Sequence, residues 1–348
     1  MPQVSSSSLP VLVTGATGFV GSHVVDRLLA SGVAVRAIVR KTSSLRWLAG
    51  KPVEMVEADL RDPERLRAAV AGTRAVLHFG GKIAARSARE FFEANADGTE
   101  ALARAFASAA PADGSGFFLY CSSLAACGPA PRLDRAPFPH VREEDDPRPV
   151  STYGASKLEG ERRLGVLEGR ARVVVVRPPV VYGPRDRGIL QYFQWLQRGW
   201  MLLPGGGGMR ISVVHVRDLA TAVQLSLDQP RARGIYNAGD GRAYSWQDVG
   251  RIAARALGVH PRPVRIPWMF TYLGALASEI GVRLPHRGSP RDPLVSFDKL
   301  REMRQTSWAC LPEKATREFG FQPRIDIEAG IEETIRWYQE QGWLRGAR

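Results

Sequence analysis

The segment Thr14-Gly15-Ala16-Thr17-Gly18-Phe19-Val20-Gly21 constrains this chain more than any other part of it. It follows the apolar run Val11 to Val13 directly and opens a stretch in which Val20, Val24 and Leu28 recur at helical spacing, with Val25 and Leu29 beside them. A strand that turns through glycines into a helix presents bare backbone and a helix N-terminus to a negatively charged group. Gly15 permits the tight turn, Gly18 lets the backbone approach a pyrophosphate, and Gly21 lets the helix pack close to the strand. Among 35 glycines the spacing alone carries little weight, so the reading rests on the strand-to-helix context. Thr17, Phe19 and Val20 complete the expected phosphate-facing turn.

The rest of the chain repeats that alternation. Short runs rich in Val and Ile, at Val11 to Val13, Val35 to Val39, Val53 to Glu57, Ala75 to His78, Phe117 to Ser122 and Arg172 to Arg177, alternate with longer stretches of helical periodicity. This pattern predicts an α/β fold, a doubly wound parallel sheet with helices on both faces, over residues 9–181. After Tyr182 the pattern changes: Gly183-Pro184-Arg185-Asp186-Arg187 reads as a turn and Gly205 to Gly208 as a loop. Residues 182–348 are therefore expected to form a smaller α+β lobe that binds substrate. Its expected helices are Ser245 to Leu257, Ile266 to Ser278, Ile327 to Gln339 and the shorter Ala315 to Phe319. Residues 1–8, short and Ser-rich, read as a disordered tail without the basic start and apolar stretch of a secretory signal.

Composition narrows the partners. The net charge of +13 raises the question of nucleic acid, but the basic residues are nearly all Arg, scattered, and form no basic arm, so no nucleic-acid partner is expected. The uncharged stretch Ile266 to Ser278 falls short of the roughly 18 residues a membrane-spanning helix needs, and reads as a surface helix or a lid over an apolar substrate. Cys121, Cys127 and Cys310 fit neither a disulfide framework nor a zinc site, which points to a reducing, cytoplasmic setting and no metal.

At the end of the second strand, where such folds meet the adenosine ribose, stands Arg40, followed by Lys41, Thr42 and Ser43. A carboxylate there would accept hydrogen bonds from the ribose hydroxyls of NAD. A guanidinium instead suits the extra phosphate of NADP, with Thr42 or Ser43 donating beside it. The competing reading makes Arg40 one more surface arginine and leaves NAD open. Asp59, with Leu60, ends the third strand where adenine would lie, while Asp62 before Pro63 reads as a helix cap. Phe79, Gly80 and Gly81 place small residues at the end of the fourth strand, against which a cofactor can lie. His78 reads as a packed strand-end histidine.

The chemistry is expected elsewhere. In Tyr153-Gly154-Ala155-Ser156-Lys157 the four-residue spacing puts phenol and ammonium on one helix face. A free phenol ionises near pH 10, and a fixed positive charge beside it would favour the phenolate, so Lys157 is expected to tune Tyr153 and to hold a nicotinamide ribose. Ser123, after the fifth strand, is placed to bind the reacting oxygen, with Ser122 as the fallback.

Together with Asn95-Ala96-Asp97-Gly98-Thr99, Arg177-Pro178-Pro179-Val180-Val181-Tyr182-Gly183-Pro184 and His215-Val216-Arg217-Asp218-Leu219-Ala220, these segments resemble the extended short-chain dehydrogenase/reductases, the NAD-dependent epimerase/dehydratase superfamily, over nearly the whole chain. The resemblance implies a Rossmann sheet, a site organised by Asn95, a backbone from Pro178 to Val181 that meets the nicotinamide carboxamide, and a homodimer. It also separates branches. Dehydratases of this family carry Asp-Glu after the active-site hydroxyl, where this chain has Leu124-Ala125. Many sugar-nucleotide epimerases carry Asn where this chain has Val180, and Arg210 stands one residue out of their pattern. The Arg177 to Pro184 stretch is more similar to dihydroflavonol reductases and 3β-hydroxysteroid dehydrogenases, which implies hydride transfer between NADP(H) and a ketone or secondary alcohol of a small molecule. The alternatives are sugar-nucleotide epimerisation and a non-catalytic NADP sensor. Apolar Ile266 to Leu276 and the aromatics Tyr192, Phe193, Trp195 and Trp200 read either as pocket lining or as core.

Overall fold

A computed structural model describes residues 9–110, 114–131, 139–283 and 296–346; the expected tail, residues 1–8, lies outside the described residues. Seven strands form one parallel sheet, in the spatial order Gly234–Asn237, Arg172–Arg177, Phe117–Cys121, Ala75–His78, Val11–Thr14, Val35–Val39, Val53–Glu57. The chain starts in the middle, winds to one edge, then returns to the other side of Val11–Thr14. The reversal leaves a crevice at the C-terminal ends of Val11–Thr14 and Ala75–His78, the position where open α/β sheets bind ligands.

Successive strand residues point to opposite faces, so both faces need an apolar cover. Val11 and Val13 pack with Val24, Val25 and Leu28 of the helix Phe19–Ala30 and with Leu219, Val223 and Leu227 of the helix Val216–Asp228. Leu12 points the other way, into a core with Leu66 of the helix Pro63–Val70 and Leu102 and Phe106 of the helix Gly98–Ala109. The six expected strands are present.

The seventh strand shows where the expected division at 181/182 differs from the packing. Gly234–Asn237 pairs with Arg172–Arg177, and Val216–Asp228 lies on the same face as the first helix, so this part of 182–348 belongs to the sheet. With Gly and Asn at its ends, Gly234–Asn237 has only Ile235 and Tyr236 as an apolar pattern, too little to announce a strand. Most of the remaining C-terminal elements gather around a separate core that includes Phe193, Leu203, Val249, Ile331 and Tyr338, whereas Ala315 and Phe319 of the helix Glu313–Phe319 pack into the core on the sheet face shared by the first helix. The helices Trp246–Leu257, Trp268–Arg283, Glu313–Phe319 and Ile327–Glu340 answer to the four expected there. Phe193 is fully buried in that core while Trp200 is exposed, so the aromatic run divides between interior and surface. No helix among the described residues is long and apolar enough to cross a membrane, and no cluster there has the makings of a metal site.

Candidate active site

The glycine turn is built as tightly as its sequence requires. Gly15 has φ +68°, and a Cβ there would stand 2.7 Å from the carbonyl carbon of Phe79. A Cβ on Gly21 would stand 2.2 Å from the Gly15 carbonyl oxygen. Gly18 caps the helix Phe19–Ala30 and donates its N–H to the Gly15 carbonyl at 2.9 Å. The amides of Phe19, Val20 and Gly21 lie in the first turn, where helical N–H groups have no partner within the helix, so the turn fits a pyrophosphate. Thr17 lies in the same turn. His78, fully buried between the Thr14 hydroxyl at 2.6 Å and the Thr99 hydroxyl at 3.0 Å, is pushed down to about 3 by burial and then by Lys157, so it stays neutral packing. The Thr14 hydroxyl in turn accepts the N–H of Gly80 at 3.1 Å, which fixes Phe79-Gly80-Gly81 beside the turn.

Beyond the ends of the second and third strands lies an open cleft of about 410 Å³, lined by Arg40, Lys41, Thr42, Glu57, Asp59 and Arg61 among others. The Arg40 N–H donates to Ser43 Oγ at 3.0 Å. Asp59 accepts from Arg61 Nε at 2.8 Å, and that bond holds its carboxyl below the ordinary range. Asp62 caps the helix Pro63–Val70 through the Arg65 N–H, and Leu60 packs toward Gly98.

The helix Thr152–Arg163 carries Tyr153 and Lys157. Gly154 lets it press on the loop after the fifth strand, since a Cβ there would meet the Ala125 carbonyl oxygen at 2.3 Å. That loop holds Ser123 at the cap of the short helix Leu124–Cys127, where its hydroxyl accepts from Ala125 N at 3.2 Å. Burial pushes the Tyr153 phenol above its ordinary value, and a hydrogen bond from Ser123 opposes that rise. Lys157, buried, donates to the Cys121 carbonyl at 2.9 Å and sits 4.7 Å over the Tyr120 ring; burial lowers its pKa. Ser122 is engaged elsewhere: its hydroxyl donates to Glu161 at 2.5 Å, and Glu161 is bound by Arg177 at 2.6 Å. Of the two adjacent serines, Ser123 is the one beside the phenol.

Asn95 sits fully buried in a single π-helical turn, Glu93–Asp97, a distortion that often accompanies function. Its amide donates to the Ser156 hydroxyl at 2.9 Å and to the Lys82 carbonyl at 2.9 Å, and its side-chain oxygen accepts from the Lys82 N–H at 2.8 Å. A Cβ on Gly81 would stand 2.5 Å from that oxygen and 3.4 Å from Lys157 Nζ, so Gly81, Asn95 and Lys157 meet at one point. The Pro178 carbonyl accepts the N–H of Leu124 at 3.0 Å, which sets the segment leading to Val181 alongside the Ser123 loop. Arg210, the alternative phosphate ligand, lies 3.5 Å from Asp248 on an exposed part of the other lobe.

Two residues absent from the sequence reading complete the site. Asp298, from the helix Phe297–Met303, accepts the N–H groups of Thr152 at 2.7 Å and Tyr153 at 3.0 Å. Glu302, one turn on, accepts from the Ser151 hydroxyl at 2.8 Å, while Ser151 Oγ itself accepts from Gly154 N at 3.0 Å. Three amides at the start of the helix Thr152–Arg163 are thereby satisfied by side chains, two of them by a carboxylate lying at the positive end of the helix dipole. Nothing local in Phe297-Asp298-Lys299-Leu300-Arg301-Glu302-Met303 signals this, because the pairing spans about 145 residues.

A family model, the NAD dependent epimerase/dehydratase family, matches residues 11–239. The chain belongs to that family. This family member is 31% identical over 336 residues, 96% of each chain, to the ceramide reductase of Caulobacter vibrioides (strain NA1000 / CB15N). It is 26% identical over 348 residues, 93% of this chain and 99% of the other, to the sterol-4-alpha-carboxylate 3-dehydrogenase, decarboxylating, of Dictyostelium discoideum. Among solved structures it resembles the UDP-glucose 4-epimerase of Thermus thermophilus in complex with NAD, with TM-score 0.74 and 25% identity, covering 95% of this chain and 99% of that one. It is an NAD(P)-dependent enzyme of the extended short-chain dehydrogenase/reductase superfamily.

Asp298→Ala removes the acceptor of two helix N–H groups. Amide exchange at Thr152 and Tyr153 should quicken by about tenfold, with about 1 kcal/mol lost in stability. Asp298→Asn, which keeps one acceptor oxygen, should fall between. Unchanged exchange in Asp298→Ala would show that the carboxylate does not hold this helix end.

Proposed function

We propose that the protein is an NADP-linked oxidoreductase that interconverts a ketone and a secondary alcohol on an apolar small molecule. The observation that carries this reading is the Ser123 hydroxyl set on the loop against which the helix carrying Tyr153 and buried Lys157 presses, beside a phenol whose ionisation burial opposes. The residues fit the cofactor. Gly15, Thr17, Gly18, Phe19, Val20 and Gly21 would hold its pyrophosphate, Asp59 and Leu60 its adenine, and Phe79, Gly80, Gly81 and Asn95 would line its path. Pro178 and Val181 would meet the carboxamide and Lys157 the nicotinamide ribose. Arg40, with Lys41 and Arg61 in the same cleft, favours the additional phosphate of NADP over a bare ribose. When bound, the nicotinamide supplies or accepts the hydride.

Within that frame Tyr153 acts as the acid. Its phenol, neutral at physiological pH, delivers a proton to the carbonyl oxygen as the carbon is reduced, and Ser123 orients that oxygen through its own hydroxyl. In the oxidative direction the phenol must first lose its proton, which its raised pKa disfavours. The apolar character of the substrate is supported by Val180 in place of an Asn that would meet a nucleotide diphosphate, and by Arg210 being engaged with Asp248. The ceramide and sterol substrates in the names of similar proteins agree with it. A second reading, sugar-nucleotide epimerisation, is favoured by the likeness to the Thermus epimerase. The two separate in a panel of ketones and sugar nucleotides scored by NADPH absorbance and by product isomer: steady consumption of NADPH speaks for the oxidoreductase, isomerisation with no net consumption for the epimerase.

Tyr153→Phe should lower turnover by about 10² to 10⁴-fold with folding intact, and the wild-type rate of alcohol oxidation should climb with pH across neutrality while ketone reduction stays nearly level. Near-normal turnover in the variant, or oxidation indifferent to pH, contradicts the assignment. Arg40→Ala should weaken NADPH by at least about tenfold and leave NADH nearly unaffected; an unaltered preference would remove the case for NADP.

A further inference from the structure

The helix Trp268–Arg283 faces solvent with a surface that water does not favour. Its inward side is well anchored. Trp268 packs over Gly205, where a Cβ would stand 2.1 Å from the indole ring. Tyr272 stacks on Phe297 with ring centroids 6.1 Å apart, its hydroxyl accepts from Arg304 at 2.9 Å, and Ala275 is fully buried. Over residues 268–277, whose side chains are described, the outward side consists of Met269, Phe270, Leu273, Gly274, Leu276 and Ala277, without one polar side chain. Met269 is 63% exposed, Phe270 and Leu273 are each 55% exposed, and Leu276 is 46% exposed. Among the described residues only four other large apolar side chains are exposed, and one of these, Trp200, lies on the strand that pairs with Arg262–Ile266, the strand leading into this helix. Scattered apolar residues need no explanation, but a continuous helix face does.

The charge around the face indicates what covers it. From His260 to Ala277 the chain has no acidic residue. Arg262 and Arg265 are exposed just before the helix, and Arg304 is bonded to Tyr272 within it. The first acidic residue beyond this stretch is Glu279, in the last turns of the helix, while Asp298 and Glu302 of the helix packed against it are turned to the N-terminus of the helix Thr152–Arg163. A second copy of the chain meeting this face would bring the same arginines and, from residues 260–277, no carboxylate to pair with them. An anionic lipid surface takes both features at once, apolar side chains among the acyl chains and guanidinium groups among the phosphates.

We propose that the helix Trp268–Arg283 docks this protein peripherally on an anionic bilayer, lying in the interface rather than crossing it. The helix is joined through Tyr272 and Phe297 to the short helix that holds the start of the catalytic helix, so docking sets the site next to the lipid phase from which an apolar substrate would come. The docking itself does not depend on the reading of the reaction, because it is scored without turnover.

The test is co-sedimentation of the full chain with phosphatidylcholine vesicles, with and without phosphatidylglycerol. Wild type should sediment with the phosphatidylglycerol vesicles, less so as salt rises. The double variant Phe270→Glu with Leu273→Glu should lose at least about tenfold in partitioning while keeping its circular dichroism and its NADPH binding. Arg262→Glu with Arg265→Glu should weaken binding to the anionic vesicles. The proposal is overturned if wild type sediments with neither vesicle, or if the Phe270/Leu273 variant binds as wild type does. It is equally overturned if that variant merely converts a dimer to a monomer while wild type ignores lipid, which would make the face a self-interface. Loss of NADPH-linked turnover with docking intact would instead count against the reaction and leave this proposal standing.

Discussion

The buried pair of Arg177 and Glu161 holds the site together. The two meet at 2.6 Å with side chains only 1% and 6% exposed, so neither charge has water to fall back on. Removing one partner would strand the other, a loss of about 3–5 kcal/mol, so the register between the helix Thr152–Arg163 and the strand Arg172–Arg177 is strongly held. Because Glu161 also takes the Ser122 hydroxyl, the same pair fixes the end of the fifth strand. Helix, strand and serine loop are locked at one point, and Tyr153 and Ser123 are brought together as a consequence.

Other constraints act in concert on the same helix. Asp298 and Ser151 hold its start, Asn95 reaches Ser156 in its second turn, and Gly154 lets it touch the Ala125 carbonyl. The Tyr153 phenol, the proposed acid, is positioned largely by contacts from three distant stretches of sequence. Its chemistry follows from the enclosure: burial raises the cost of the phenolate, and the hydroxyl of Ser123 offsets part of that cost.

Sequence was most informative where function depends on local geometry. The glycine turn is legible because a strand running into a helix through Gly15, Gly18 and Gly21 has few other uses, and the Tyr153/Lys157 pair because four residues make one helical turn. Val11–Thr14 and Ala75–His78, also four residues each, open on three consecutive apolar residues, whereas Gly234–Asn237 has only Ile235 and Tyr236 between Gly and Asn, and the sheet therefore takes up a part of the chain that the division at residue 181 left out. Sequence puts Ser123 ahead of Ser122 with no contact to decide between them, and in the structure the Ser122 hydroxyl is taken up by Glu161. Asp298 and Glu302 were invisible because their importance lies in what folds against them. The apolar stretch near residue 270 was legible as a surface helix, while the direction of its exposed side required the packing of Trp268, Tyr272 and Ala275.

The central claim is that Ser123, Tyr153 and Lys157 surround the reactive end of a dinucleotide whose phosphates rest on the Gly15 to Gly21 turn. A crystal structure of the protein with bound NADP+ examines it most directly. The pyrophosphate should lie on the first turn of Phe19–Ala30, the nicotinamide in contact with Tyr153, and its ribose should be held by Lys157. A nicotinamide that leaves Tyr153 and Ser123 untouched, with the phosphates away from the glycine turn, would contradict it.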